Sequence, residues 1–401
     1  MIIRSGARLQ HIDAIRAIAA VLVIIMHCSD TALGNPAFAS AGGSWLSSVA
    51  NTFDFGRLGV MLFFTVSGFV IPSSLKPGQH PGVFWVRRFF RLYPVYWLSV
   101  ALAVCVQAWL WHHYFAAQQI AANLTMLQNF LRYENVEGVY WTLKLELVFY
   151  VACYLLFLTR MLENTILLEV ISLGLAAIFV CYLDLWNGPF GFARHLLNFT
   201  DQTRSALDAQ GAANTAVSHP LPGFLNMNWG YFCAYFSLMF LGAILRRLYD
   251  RRLTGVARGI ALVLPALWIT ILPVMGLFAY RATHDLGMIG VFAPATLAVL
   301  LFVVLAFRIR ITSRYMALLG VISYSLYLMH PIVIDTLVAL QHSSSAHLPV
   351  FTLVVLVLTI LLSIASYRLV ERPSIRKGHE LANRLERKAS LKDAMAVAEK
   401  K

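Results

Sequence analysis

Charge is scarce in this chain. Only 13% of its 401 residues are Asp, Glu, Lys or Arg, while 59% are hydrophobic and mean hydropathy is +0.70. Soluble domains carry about 25% charged residues, so a soluble enzyme is excluded and a polytopic membrane protein is indicated. Negative charge is scarcer still, with 19 acidic against 32 basic residues and a net charge of +13. In a soluble protein that balance would point to nucleic acid. Basic loops on one membrane face account for it here, and no nucleic-acid partner is expected. Cysteine is sparse and scattered. Cys28, Cys105, Cys153, Cys181 and Cys233 stand one per apolar stretch, without a CxxC or a His/Cys cluster. That spacing excludes a disulfide frame and leaves no metal site to expect. Cys28 adjoins His27, but neighbouring helical residues point about 100° apart, so it is not read as a nucleophile. There is no glycine loop for phosphates and no internal repeat.

What the chain has in abundance is long apolar runs. Windows of about 20 residues place spans near 12–30, 56–75, 90–111, 142–159, 165–185, 229–248, 259–279, 287–307, 316–340 and 349–370. The expected fold is therefore all-α, a polytopic transmembrane bundle of about ten helices. With a cytoplasmic N-terminus, 25 of the 32 Lys and Arg fall inside and five outside, with Arg16 and Lys144 within spans. The positive-inside rule then puts both termini in the cytoplasm. Residues 1–371 form the expected transmembrane domain and 372–401 a charged cytoplasmic tail, read as a solvated or membrane-surface helix. Arg4, Arg8 and the following apolar run imitate a signal peptide, but Asp13 and Arg16 interrupt it, so a retained first span is expected. Segments 112–141 and 186–228 are polar with interspersed aromatics such as Trp186, Phe190, Phe192 and Phe224. They read either as recognition loops or as interfacial belts.

Ionisable residues inside these runs mark candidate chemistry, because a charge in hydrocarbon costs at least ~2.5 kcal/mol. The stretch Ile12 to Asp30 carries Asp13, Arg16 and His27. Eleven steps of about 100° and 1.5 Å leave Arg16 and His27 on one face, roughly 16 Å apart in depth. Asp13 lies within ion-pair reach of Arg16. The alternative is an interfacial Asp13–Arg16 pair with His27 merely bonded to a carbonyl. In the second span Ser67 precedes Gly68, a pattern that packing alone also explains. Arg87, Arg88 and Arg91 then form a cluster whose forked donors suit phosphate oxygens, although topology alone also calls for positive charge there. Glu146 falls about one turn below the outer end of the fourth span, at the depth expected for His27, which is the geometry of a His–carboxylate pair. The ninth span holds Ser323-Tyr324, Tyr327 and His330-Pro331, with His330 near the midplane as either a structural donor or a ligand.

Taken in order, five stretches resemble the acyltransferase-3 family. They are Asp13/Arg16 with His27, the Gly59-Val60…Phe63-Phe64…Ser67-Gly68-Phe69 segment, Arg87-Arg88…Arg91…Pro94, Trp141-Thr142-Leu143…Glu146…Phe149-Tyr150, and Ser323-Tyr324…Tyr327-Leu328…His330. The resemblance covers about residues 10–371. It implies an integral enzyme of a bacterial-type inner (plasma) membrane that moves an acyl group, acetyl above all, from cytoplasmic acyl-CoA to a hydroxyl of an extracytoplasmic sugar. Some members carry an appended extracytoplasmic domain; this sequence reads as the stand-alone form. The resemblance makes His27 the central catalytic group, with Glu146 orienting it and Arg16 and Asp13 shaping the corridor. Arg87, Arg88 and Arg91 would hold the CoA phosphates, and Ser67, Tyr327 and His330 are assigned to the donor side. The expected partners are acyl-CoA, a surface glycan or lipid-linked sugar, and the lipid bilayer. No serine or cysteine stands in an unmistakable nucleophile setting, which favours direct transfer. The competing function is a proton-coupled transporter, which should show repeated halves.

Overall fold

The computed structural model describes residues 9–34, 53–187, 229–283, 287–340 and 347–398. Among them there are helices and turns but no strands. The helices are α1 (Gln10–Gly34), α2 (Phe55–Val70), α3 (Pro81–Leu110), α4 (Ala117–Leu124), α5 (Trp141–Leu158), α6 (Thr165–Asn187) and α7 (Trp229–Tyr249). They continue as α8 (Gly255–Thr283), α9 (Gly287–Val303), α10 (Arg314–Val321), α11 (Ser323–Leu340), α12 (Leu348–Ser366) and α13 (Arg372–Ala398). Eight of the described helices are long and apolar enough to cross a membrane. Two shorter apolar helices, Thr165–Cys181 and Phe292–Arg308, match the fifth and eighth expected spans.

Local chemistry sets the helix starts that matter for the site. The Asp54 carboxylate caps α2, accepting from the Arg57 N–H at 2.6 Å. Pro81 opens α3, where its missing N–H costs nothing, and His80 Nδ1 accepts from the Gly82 N–H at 3.1 Å. Once formed, α2 is the hub of the bundle, packed by α1, α5, α7 and α9. It crosses α7 with backbone against backbone: a methyl group on Gly68 would overlap the Met239 carbonyl, and one on Gly242 would overlap the Thr65 carbonyl. Only glycine allows that approach. The main neighbours of α1 are α2, α10, α11 and α12.

Two features depart from the sequence reading. The segment between α3 and α5, expected as a recognition loop or an interfacial belt, folds back along α3. The Tyr93, Tyr96 and Trp97 side chains donate to the carbonyls of Thr125 (3.0 Å), Asn123 (2.6 Å) and Leu124 (2.9 Å). Those partners lie about 20 Å back from the end of α3, taking 1.5 Å per residue. Asn123, Gln128 and Glu137 are buried in this fold-back, where irregular backbone needs protein partners. Helix α5 consequently starts deep, with the Tyr140 hydroxyl 2.7 Å from Ser99 Oγ. The second departure is the tail. A π turn at Tyr367–Glu371 leads into α13, which packs along the first turns of α3 instead of lying free. The second polar segment falls largely outside the described residues, which leave out 188–228 with Phe190, Phe192 and Phe224.

Candidate active site

Five helices bring the centre together. Ser67 on α2 donates to Glu146 Oε1 on α5 at 3.1 Å, and the Tyr150 hydroxyl donates to the same oxygen at 2.5 Å. One turn along α3, the Arg88 guanidinium lies 5.4 Å from the Tyr150 ring centroid and donates to Ser74 Oγ at 2.9 Å. Arg16 of α1 completes the group. Arg16, Ser67, Glu146 and Tyr324 all line two different cavities, so the two spaces meet at these four side chains.

The larger cavity, about 840 Å³, is also lined by Arg87, Arg88, Arg91, Arg246, Asp13 and Glu371. Five arginines therefore face three carboxylates. None of Arg16, Arg87, Arg88 and Arg91 is ion-paired within 4 Å among the described residues. Arg87 Nε is buried without a hydrogen-bond partner. Guanidinium groups that outnumber the carboxylates of a cavity wall are suited to a phosphorylated or carboxylated ligand. The smaller cavity, about 60 Å³, has Val60, Phe63, Phe64, Thr142, Leu143 and Tyr327 in its wall. It holds a few waters or one short acyl chain.

His27 lies beyond the smaller cavity. Its ring is 5.1 Å from that of His330, centroid to centroid, and His330 is 5.8 Å from Tyr327. The His330 Nδ1 lies 3.2 Å from the Leu326 carbonyl, whereas its buried Nε2 has no partner. Tyr327 is held at both ends of its hydroxyl, donating to the Val139 carbonyl (3.0 Å) and accepting from Thr142 Oγ1 (2.9 Å).

The structure thus joins Arg16, Ser67 and Glu146, places Arg87, Arg88, Arg91 and Asp13 around one cavity, and sets His27 against His330. It does not make the expected His27–Glu146 pair. Glu146 is level with Arg16, because the fold-back between α3 and α5 starts α5 deep in the bundle, and α5 packs on α2 and α7 rather than on α1. Nor is Arg16 in ion-pair contact with Asp13. Sequence reading passed over Arg246, which entered only as a topology charge, and Glu371, which accepts from Ser325 Oγ at 2.9 Å. Tyr150 sat in a quoted motif without a role, and its i+4 spacing from Glu146 was the available signal. No cluster of three His, Cys, Asp or Glu able to hold a metal ion occurs among the described residues.

A model of the family described as "Acyltransferase domain" matches residues 9–368. The chain belongs to the acyltransferase-3 family. A protein of Acidianus two-tailed virus, named as an acetyltransferase, is 29% identical over 91 residues, covering 23% of this chain and 28% of the relative. Nodulation protein 10 of Rhizobium leguminosarum bv. viciae is 29% identical over 167 residues, 36% of this chain and 43% of the relative. The matched parts span less than half of either relative. No solved structure matches. All ten residues singled out from the sequence lie within the family match, as does the wall of the smaller cavity; the larger cavity extends beyond it to Glu371, Ile375 and His379. Membership places the chain in a family of acyltransferase domains, and among the described residues the apolar helices suit a multi-pass membrane location.

Proposed function

We propose that this acyltransferase takes an acyl group, acetyl in the first place, from cytoplasmic acyl-CoA and delivers it to a hydroxyl of an extracytoplasmic carbohydrate or glycoconjugate. The observation carrying this reading is the pair of cavities that meet at Arg16, Ser67, Glu146 and Tyr324. In this orientation the arginine cavity faces the cytoplasm and receives the CoA phosphates. The pantetheine arm passes the four shared side chains, where Ser67 and Glu146 offer hydrogen bonds to its amides, and the thioester enters the apolar space beyond. His27 stands about 16 Å further along α1 than Arg16, a depth an extended pantetheine arm spans.

At that end the acceptor hydroxyl oxygen attacks the thioester carbonyl, and the His27 imidazole takes its proton. The C–S bond breaks, and the departing thiolate recovers the proton from the imidazolium, so atoms and charge balance without a covalent enzyme intermediate. An imidazole near neutrality suits both transfers. His330 packs against His27 and fixes its ring position. The small apolar cavity suits acetyl better than a long chain.

The test is transfer by purified protein from isotopically labelled acetyl-CoA, combined with mass spectrometry of surface glycans from cells with and without the protein. Loss of an O-acyl substituent in its absence is expected. Identical glycans, together with no transfer in vitro, would sink the reading. No observation in the structure favours the proton-coupled transporter.

A further inference from the structure

The arginine cavity has a wall that the family match does not include. Helix α13 lies antiparallel to the start of α3, with Gly378 against Phe90, Leu385 beside Gly82, and Gln79 Nε2 donating to Glu386 Oε1 at 2.5 Å. Ala382 is fully buried under this contact. Residues 375, 379, 382 and 386 share one helix face, so the packing that buries Ala382 also turns Ile375 and His379 onto the cavity that holds Arg87 and Arg91. His379 is solvent-exposed and therefore stands at the mouth. A ligand with an apolar arm and a polyanionic head keeps the head at such a mouth, since burying its charges would be costly.

We propose that α13 is a donor-binding element and that His379 is a phosphate ligand, acting with Arg87 and Arg91 on the nucleotide end of the acyl carrier. This rests on the reading of that cavity as the acyl-CoA site. The imidazole supplies an N–H donor from the side opposite α3, so the phosphates are held between two helices and not on one. The role assigned is in binding only; the thioester lies well inside.

The experiment uses the full chain in detergent or nanodiscs and compares two donors, acetyl-CoA and acetyl-pantetheine, which shares the thioester arm but lacks the nucleotide and its phosphates. His379→Ala should raise KM for acetyl-CoA by about tenfold, the scale of one hydrogen bond to a charged group. kcat should hold, and acetyl-pantetheine turnover should not change. His379→Lys should restore acetyl-CoA affinity. Gly378→Leu, which pushes α13 off Phe90, should reproduce the donor-selective loss. Equal losses with both donors, or an unchanged acetyl-CoA KM in His379→Ala, would overturn the proposal. A wild-type protein that does not prefer acetyl-CoA over acetyl-pantetheine would instead overturn the donor-site reading itself.

Discussion

At the scale of single residues, the structure separates two polar groups that sequence depth had merged. His27 belongs with His330, while Glu146 belongs with Arg16, Ser67 and Tyr150. Their substitutions should therefore behave differently. General-base assistance contributes typically about 10²–10⁴-fold, so His27→Ala should lose activity on that scale with membrane expression intact. His27→Gln keeps a polar end but cannot shuttle a proton, and should be nearly as inactive. A His27→Gln enzyme retaining most of its turnover would make His27 a packing residue. Glu146→Gln leaves an amide where a carboxylate accepted two hydrogen bonds. Hydrogen bonds to a charged acceptor are worth about 1.5–3 kcal/mol, so Glu146→Gln should weaken donor handling more than chemistry. A raised KM for acyl-CoA with a smaller change in kcat is expected, and the reverse pattern would return Glu146 to a role beside His27. The residue types were legible in the sequence because charge in an apolar run is conspicuous. Their pairing was not, because helical period gives a face and a depth along one helix but says nothing of where the next helix begins.

Among elements, α3 carries the most consequential lesson. Its three arginines were visible as a cluster, and the structure lines one cavity with all three. Charge reversal of Arg87, Arg88 and Arg91 together should weaken acyl-CoA binding by well over tenfold while the protein still inserts. Isothermal titration with CoA checks this, and unchanged affinity would reduce the cluster to a topology signal. The α2–α7 crossing predicts a contrasting outcome. Gly68→Leu must push apart two backbones in contact; overpacking of this kind costs typically 1–3 kcal/mol or more, so thermal stability in detergent should fall along with activity. An unaltered melting temperature would contradict the close crossing. The apolar runs announced most of the helices. The fold-back between α3 and α5 was hidden because its anchors, Tyr93, Tyr96 and Trp97, look like an ordinary aromatic belt. Helix α13 looked free because the face it buries is mostly small, with Gly378 and Ala382 at its centre.

For the molecule as a whole, the distribution of charge predicts the orientation. Reporter fusions after Arg252 and Lys401 should report cytoplasm, and a fusion at Thr215, which lies outside the described residues, should report the opposite side. A cytoplasmic Thr215 would reverse the assignment of the two cavities. The helical architecture of the described residues could be read directly from composition, since only internally bonded helices satisfy the backbone in lipid when the runs are this long. That two cavities face each other across four side chains could not, because those residues come from α1, α2, α5 and α11, scattered over more than 300 positions of the chain.

On the proposed acyl route, those four side chains would also have to serve as an electrical seal. A membrane that carries an acyl group across must still hold its voltage, worth about 2.3 kcal/mol per elementary charge for each 100 mV. The guanidinium of Arg16 sits where the two spaces adjoin and has no carboxylate partner within ion-pair distance among the described residues. A cation at that junction would repel sodium, potassium and hydronium alike, while leaving a neutral thioester arm free to pass. Arg16→Ala in liposomes under an applied potential should therefore conduct protons that the wild-type protein excludes.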